Sequence, residues 1–269
     1  MKGVVVKRTV VFSAALAAGI TLVPFAAGGA AGTFSVHAEM RWQGTASQCV
    51  GSYPASVTCY SHPGGPVAVP GLGVVSQSYS YPVDTNPGPP CSGGFQVLPY
   101  PARLAVSGKG EIFLAVRAAE GCLQGPPSDT VLSPTQTFTV TGGSGVYAGA
   151  SGSGAVGRTR IGRLSSGHGY GTDVWEGTLV VPGFEFDLTP PRLTGAVGKV
   201  VRAPSRATRV RVRYRLAATD NVDGAVAVAC QPRSGSLFTV GRKTVVRCSA
   251  TDKSANTMRA SFTVTVKRP

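Results

Sequence analysis

Two cysteines on short alternating segments near the C-terminus constrain this chain more than any other feature. In GAVAVAC, Val226, Val228 and Cys230 share one parity, and in VVRCSA, Val246, Cys248 and Ala250 share one. Period-two alternation places residues of one parity on one face of a strand. Both sulfurs are therefore expected to point into a common core and to join there. Closing a loop of that length should stabilise by about 3 kcal/mol in the chain-entropy model, a large share of the stability of a small module. An acidic turn, ATDNVDG, precedes the first cysteine and another, ATDKS, follows the second. This pattern reads as a disulfide-pinned β-sandwich, a class of module that binds more often than it catalyses.

The same alternation runs through the neighbouring segments. In RVRVRYRL, Val210, Val212, Tyr214 and Leu216 fall on one face, while Arg209, Arg211, Arg213 and Arg215 fall on the other. Arginines two apart on a strand repeat about every 6.6–6.8 Å, which makes them a candidate polyanion-binding stripe. A solvated face whose charges block edge-to-edge association is the plainer alternative. No aromatic side chain shares the arginine face, so base stacking gains no support. The net charge of +14 is concentrated here: residues 188–269 carry 16 Lys/Arg against 3 Asp/Glu, whereas residues 33–187 carry 7 against 9. The break at TPP predicts a domain boundary, giving domains of 33–187 and 188–269.

Taken together, TPP, ATDNVDG, the first cysteine, SGSLF, VRCSATDKSAN and the closing FTVTV resemble the hyalin repeat (HYR) module over Asp187 to Lys267. The resemblance implies an immunoglobulin-like β-sandwich, an extracellular setting and an association with adhesion. Two departures stand out: Ala255 occupies a position where glycine often precedes the asparagine, and the arginine-bearing strand is unusually basic.

Residues 1–32 read as an export signal, with Lys2, Lys7 and Arg8 ahead of an apolar run and small residues after it. Six cysteines follow, and an even number behind an export signal favours disulfides over metal ligation. Cys49 with Cys59 and Cys91 with Cys122 are the pairs favoured in the first domain, although the count alone permits other pairings. Between Thr33 and Asp187, FSVHAEMRWQG, VVSQSYSYPV, ARLAVSG, EIFLAVRAAEG, QTFTVTGG, GSGAVGRTRI, DVWEGTLVV and FEFDL read as short strands separated by Gly/Pro turns. A barrel or sandwich is expected. FTVTGGSGVYAGASGSGAVG and the later WEGTL resemble segments of allene-oxide-cyclase-like and dirigent-like β-barrels. Trp42, Trp175 and Tyr147 are expected in the core, and Glu176, of opposite parity to Trp175, is expected to face water.

Catalytic patterns are missing. There is no GxSxG, no HExxH, no GK[ST] loop and no tract of paired carboxylates, and His37, His62 and His168 sit in unrelated contexts. Asp220, Asp223 and Asp252 supply hard oxygens of the kind calcium takes, but DxDxDG is absent and ATDNVDG is ordinary turn composition. No catalytic residue, cofactor or metal site is therefore expected. The chain as read is a secreted or cell-surface-associated, all-β, non-enzymatic binding or adhesion protein, in which a barrel-like domain precedes an immunoglobulin-like sandwich. An anionic surface polymer or an extracellular protein is the expected partner, without specific nucleic-acid recognition and without a membrane span once the signal is removed. The alternative is a small-ligand carrier or enzyme that uses the barrel interior.

Overall fold

The computed structural model describes residues 33–268, apart from 48, 50–51, 62, 85–93, 124–130, 133–135 and 166–167. The predicted signal at 1–32 lies outside the described residues. So do Cys91 and the side chain of Cys122, and with them the expected Cys91–Cys122 pair.

Alternation dictates the strands of the first unit. In YPARLAV, Tyr100, Ala102, Leu104 and Val106 are buried while the intervening residues are exposed. Twelve strands form one sheet: β1 (Thr33–Ser47), β2 (Val57–Ser61), β3 (Gly64–Val69), β4 (Gly73–Asp84), β5 (Gly94–Val97), β6 (Tyr100–Val106), β7 (Gly110–Val116), β8 (Ala119–Leu123), β9 (Val131–Leu132), β10 (Gln136–Gly143), β11 (Ser151–Ser165) and β12 (His168–Val180). Following the pairings from β1 through β12, β11, β10, β7, β6, β4 and β3 returns to β1, so eight strands close a barrel. The closing contact sets Trp42 of β1 opposite Gly64 of β3. Strand β2 pairs with both β1 and β4, while β5, β8 and β9 continue the sheet beyond β4. Among the described residues there is no α-helix. Within those residues one 3₁₀ turn spans Gly145–Tyr147, and no helix there is long and apolar enough to cross a membrane.

Two expectations for this unit are corrected. EIFLAVRAAEG is two strands, because β7 pairs with β6 and β10 whereas β8 turns to pair with β5. FEFDL is not a strand: its neighbour β12 is already paired on both sides, with β1 and with β11, so no edge remains for it. Its aromatics pack instead, with Phe186 stacked on Phe34 at 4.7 Å and Phe184 6.0 Å from Tyr147. Trp42, Trp175 and Tyr147 are buried in the core, and Glu176 is exposed.

The second unit comprises β13 (Arg192–Thr194), β14 (Lys199–Arg202), β15 (Arg209–Arg211), β16 (Ala217–Asp220), β17 (Gly224–Val226), β18 (Val228–Gln231), β19 (Leu237–Thr239), β20 (Lys243–Thr251) and β21 (Thr257–Lys267). One sheet runs β14-β21-β20-β18, with β14 parallel to β21; β13-β16-β17 and β15-β19 form two smaller sheets. Val212, Phe238, Val246, Cys248, Phe262, Val264 and Val266 make a core separate from that of the barrel.

Both described disulfides are present, Cys49–Cys59 and Cys230–Cys248. The second joins the two cysteines that parity placed in a common core. Cys230 and Cys248 are directly opposed on the neighbouring strands β18 and β20, so the bond staples one sheet internally rather than bridging two. The parity argument put both sulfurs on the inner face correctly, but it could not distinguish adjacent strands from facing sheets.

Candidate functional site

The arginine face is present. Arg209, Arg211, Arg213 and Arg215 are exposed, while Val212 is buried and Val210, Tyr214 and Leu216 pack against the second core. Arg209–Arg211 pairs as β15 against β19. Val212 adds two backbone bonds by donating to the Ser236 carbonyl at 3.1 Å and accepting from the Gly235 N–H at 2.8 Å, and residues 213–216 keep the alternation outside any strand. Other contacts fix this segment. The Tyr214 backbone N–H donates to Ser234 Oγ at 2.9 Å, and its hydroxyl donates to the Pro232 carbonyl. The Tyr214 ring meets Phe262 edge-on at 5.0 Å, and burial raises its phenol pKa above the ordinary value. The Arg211 guanidinium donates to the Gly235 carbonyl at 2.8 Å, and Lys199 Nζ donates to the Arg213 carbonyl at 2.6 Å, which adds a fifth cation beside the stripe. Arginine geometry is thus set by a pinned backbone rather than by the long side chains.

The barrel interior holds a polar group that the sequence reading missed. Asp173 is completely buried. Trp42 Nε1 donates to its Oδ1 at 3.0 Å, Gln77 Nε2 donates to its Oδ2 at 3.0 Å, and the Tyr79 hydroxyl donates to the same Oδ2. Trp175 Nε1 donates in turn to Gln77 Oε1 at 2.8 Å. A carboxyl group is tolerated in an apolar interior when several donors face it, and two strands, β1 and β4, deliver those donors to Asp173 of β12. The signal was available: Asp173 shares the parity of Trp175. Around the network, Tyr79 stacks on Tyr100 at 5.1 Å and meets Trp175 edge-on at 6.2 Å. His37 is engaged elsewhere. His37 Nδ1 lies 2.8 Å from Glu176 Oε1 on the outer face. His62 and the His168 side chain lie outside the described residues.

The acidic turns separate into two groups. Asp223 accepts from the Lys253 backbone N–H at 2.7 Å and pairs with Lys253 Nζ at 3.2 Å. The backbone hydrogen bond first, then the ammonium, hold its pKa below the ordinary carboxylate value. Asp220 and Asp252 instead join Asp187, and one carboxylate oxygen from each lies within 4.8 Å of the others. Asp252 is clamped by Asn256, whose backbone N–H and side-chain amide donate at 2.8 and 3.0 Å. Burial, reinforced by the nearby charges of Asp187 and Asp220, raises its pKa despite those bonds. Ala255, just before Asn256, has φ of 64°. That left-handed conformation is one glycine adopts at little cost, which accounts physically for the frequent glycine at this position.

This cluster sits where the two units touch. The Gly71 backbone N–H donates to the Ser254 carbonyl at 2.8 Å. Lys109 Nζ donates to the Leu72 carbonyl at 2.8 Å and to Ser254 Oγ at 3.1 Å. Asn256 Nδ2 donates to the Asp187 carbonyl at 2.8 Å. Desolvation lowers the pKa of Lys109, partly opposed by the charges of Asp223, Asp187 and Asp252.

Comparison with curated proteins gave no match, and comparison with solved structures gave none. The family model for the HYR domain matches residues 186–266. The match spans β13 to β20 and all but the last residue of β21, with the stapled β18–β20 pair and the turns that carry Asp187, Asp220 and Asp252. The C-terminal part of this chain is therefore an HYR domain of immunoglobulin-like fold, set behind an eight-stranded barrel.

Proposed function

We propose that this is an extracellular, non-enzymatic binding protein that attaches to an anionic surface polymer through the arginine face of its HYR domain. The observation that carries the reading is the placement of Arg209, Arg211, Arg213 and Arg215. All four are exposed on one side of a segment whose other side packs into the core, and the domain around them has a large positive excess. Such a stripe attracts anionic polymers through its summed field more than through any single contact. HYR domains are in general extracellular modules of the adhesion type, and the disulfides fit an oxidising compartment. The barrel interior supports the same reading. Asp173 is buried and engaged by Trp42, Gln77 and Tyr79, an arrangement that locks side chains in place.

The test replaces the four arginines together by glutamine and measures retention on an immobilised anionic polysaccharide across a salt series. Each basic residue near an anionic surface contributes about 1 kcal/mol, so binding should weaken by roughly two to three orders of magnitude with little change in melting temperature. Salt should weaken the unaltered protein's binding progressively. Retention that ignores salt, or that survives the fourfold substitution, contradicts the reading.

A further inference from the structure

The geometry points to a calcium site formed by the carboxylates of Asp187, Asp220 and Asp252 at the junction of the barrel and the HYR domain. Three observations converge on it. First, the three ligand oxygens lie within 4.8 Å of one another. Oxygens bound to one calcium at 2.3–2.6 Å are separated by at most about 4.6–5.2 Å, so this spacing fits a shared ion. Carboxylates held on separate loops suit calcium's flexible oxygen coordination, whereas magnesium demands near-ideal octahedral geometry and usually keeps several waters.

Second, each carboxylate is aimed by its own loop. The Thr189 backbone N–H donates to Asp187 Oδ1 at 3.1 Å, and those of Val222 and Asp223 donate to Asp220 Oδ1 at 2.9 and 3.0 Å. Asn256 holds both oxygens of Asp252.

Third, and independently of the clustering, Asp187 Oδ2 and Asp220 Oδ2 are buried and have no hydrogen-bond partner. Asp220 as a whole is half-buried, but its carboxylate is enclosed. A buried, unpartnered carboxylate oxygen is costly, and three carboxylates gathered within 4.8 Å add mutual repulsion. The cations nearby are committed elsewhere. Lys109 Nζ binds the Leu72 carbonyl and Ser254 Oγ, and Lys253 Nζ pairs with Asp223. A divalent cation resolves the conflict with oxygen ligands alone.

Location gives the ion a task. Asp187 lies at the entry to the HYR domain, and Asp252 is two residues before Ser254, whose carbonyl and hydroxyl meet Gly71 and Lys109 of the barrel. Calcium there ties the connecting segment to the turn that touches the barrel, fixing how the HYR domain is carried. This inference does not depend on the arginine face.

The purified protein, stripped with EDTA, is titrated with CaCl2 by calorimetry and melted with and without the ion. Binding should saturate with a Kd on the order of 10⁻⁴–10⁻³ M, as in extracellular modules, and should raise the melting temperature. Asp220→Asn should show a crossover. In EDTA it melts above the unaltered protein, because one of three repelling charges is gone; in calcium it melts below, with affinity reduced at least tenfold. Asp187→Asn should lose affinity likewise and carries the test if the first variant does not fold. Asp223→Asn should keep the calcium response. No heat and no melting shift up to about 10 mM, well above that range, overturns the site. So does an unchanged response in the Asp187 and Asp220 variants, and an equal response to magnesium overturns the calcium assignment.

Discussion

Asp173 shows how much one side chain can organise. Its two oxygens serve Trp42, Gln77 and Tyr79 from β1 and β4, and Gln77 passes the constraint on to Trp175. Replacement by asparagine keeps the shape but puts an NH2 where an acceptor stood. Whichever way that amide turns, at least one donor then faces another donor. Leaving a buried donor unsatisfied costs about 1–3 kcal/mol, and more where a charge-assisted bond is lost. Asp173→Asn should therefore lower unfolding free energy by about 2–4 kcal/mol in denaturant titration, with the barrel tryptophans reporting the change. A loss below about 0.5 kcal/mol, the level of an ordinary surface substitution, would mean the network does not lock the interior. Hydropathy patterning hides such a residue, because an inward charge breaks the apolar alternation that marks a strand. Its parity with Trp175 was the one available signal, and it went unused. Asp187 was hidden for another reason: its partners Asp220 and Asp252 reach it only after the chain has left the barrel and built most of the HYR domain.

At the scale of elements, the glycine-rich hairpin shows what patterning reads well. Alternation and glycine at the corners located all three strands, with β10 at the bounds of QTFTVTGG, while β11 and β12 run longer than GSGAVGRTRI and DVWEGTLVV. The structure adds why some of those glycines are obligatory inside the strands. A Cβ on Gly154 would lie 2.1 Å from the Glu176 carbonyl oxygen and 2.7 Å from the Phe138 ring, because β11 and β12 approach closely there while Phe138 fills the inner face. Backbone on one side and a buried ring on the other leave nothing cheap to move. Gly154→Ala should thus destabilise by about 1–3 kcal/mol, the usual cost of overpacking, which thermal melting would register. A neutral outcome would show that the hairpin can open at that point. Elements whose partners are decided elsewhere were less legible. β2 and β3 are short and lie among Cys, Pro and Gly, and they exist because β1 and β4 offer edges to bind. FEFDL has a strand's alternation but no edge to join. The arginine face was legible because exposure along an alternating segment is a two-way choice, settled by the valines between.

At the scale of the whole molecule, two cores are coupled through a small seam. The barrel contributes the turn around Gly71–Gly73 and the Lys109 turn; the HYR domain contributes Lys253–Asn256. The fit is close enough that a Cβ on Gly71, whose φ is +86°, would lie 2.6 Å from both Leu188 and Phe34, and one on Gly73 would lie 2.8 Å from the Lys253 carbonyl oxygen. Lys109 is the one barrel side chain described as bonding across this seam, and it does so with a desolvated ammonium. Lys109→Met retains the length of the chain and removes both bonds. The Leu72 carbonyl and the Ser254 hydroxyl then lose a charged donor, at a cost of about 1.5–3 kcal/mol per bond at most, borne by the junction while both cores stay packed. The expected outcome is selective. Scanning calorimetry, in which a tightly joined pair melts together, should resolve the variant into two transitions, and protease should cut the segment between Val181 and Pro191 sooner. A single transition shifted down as a whole would instead show that Lys109 supports the barrel alone. In that case the orientation of the HYR domain would have to come from the cluster of Asp187, Asp220 and Asp252 and whatever charge balances it.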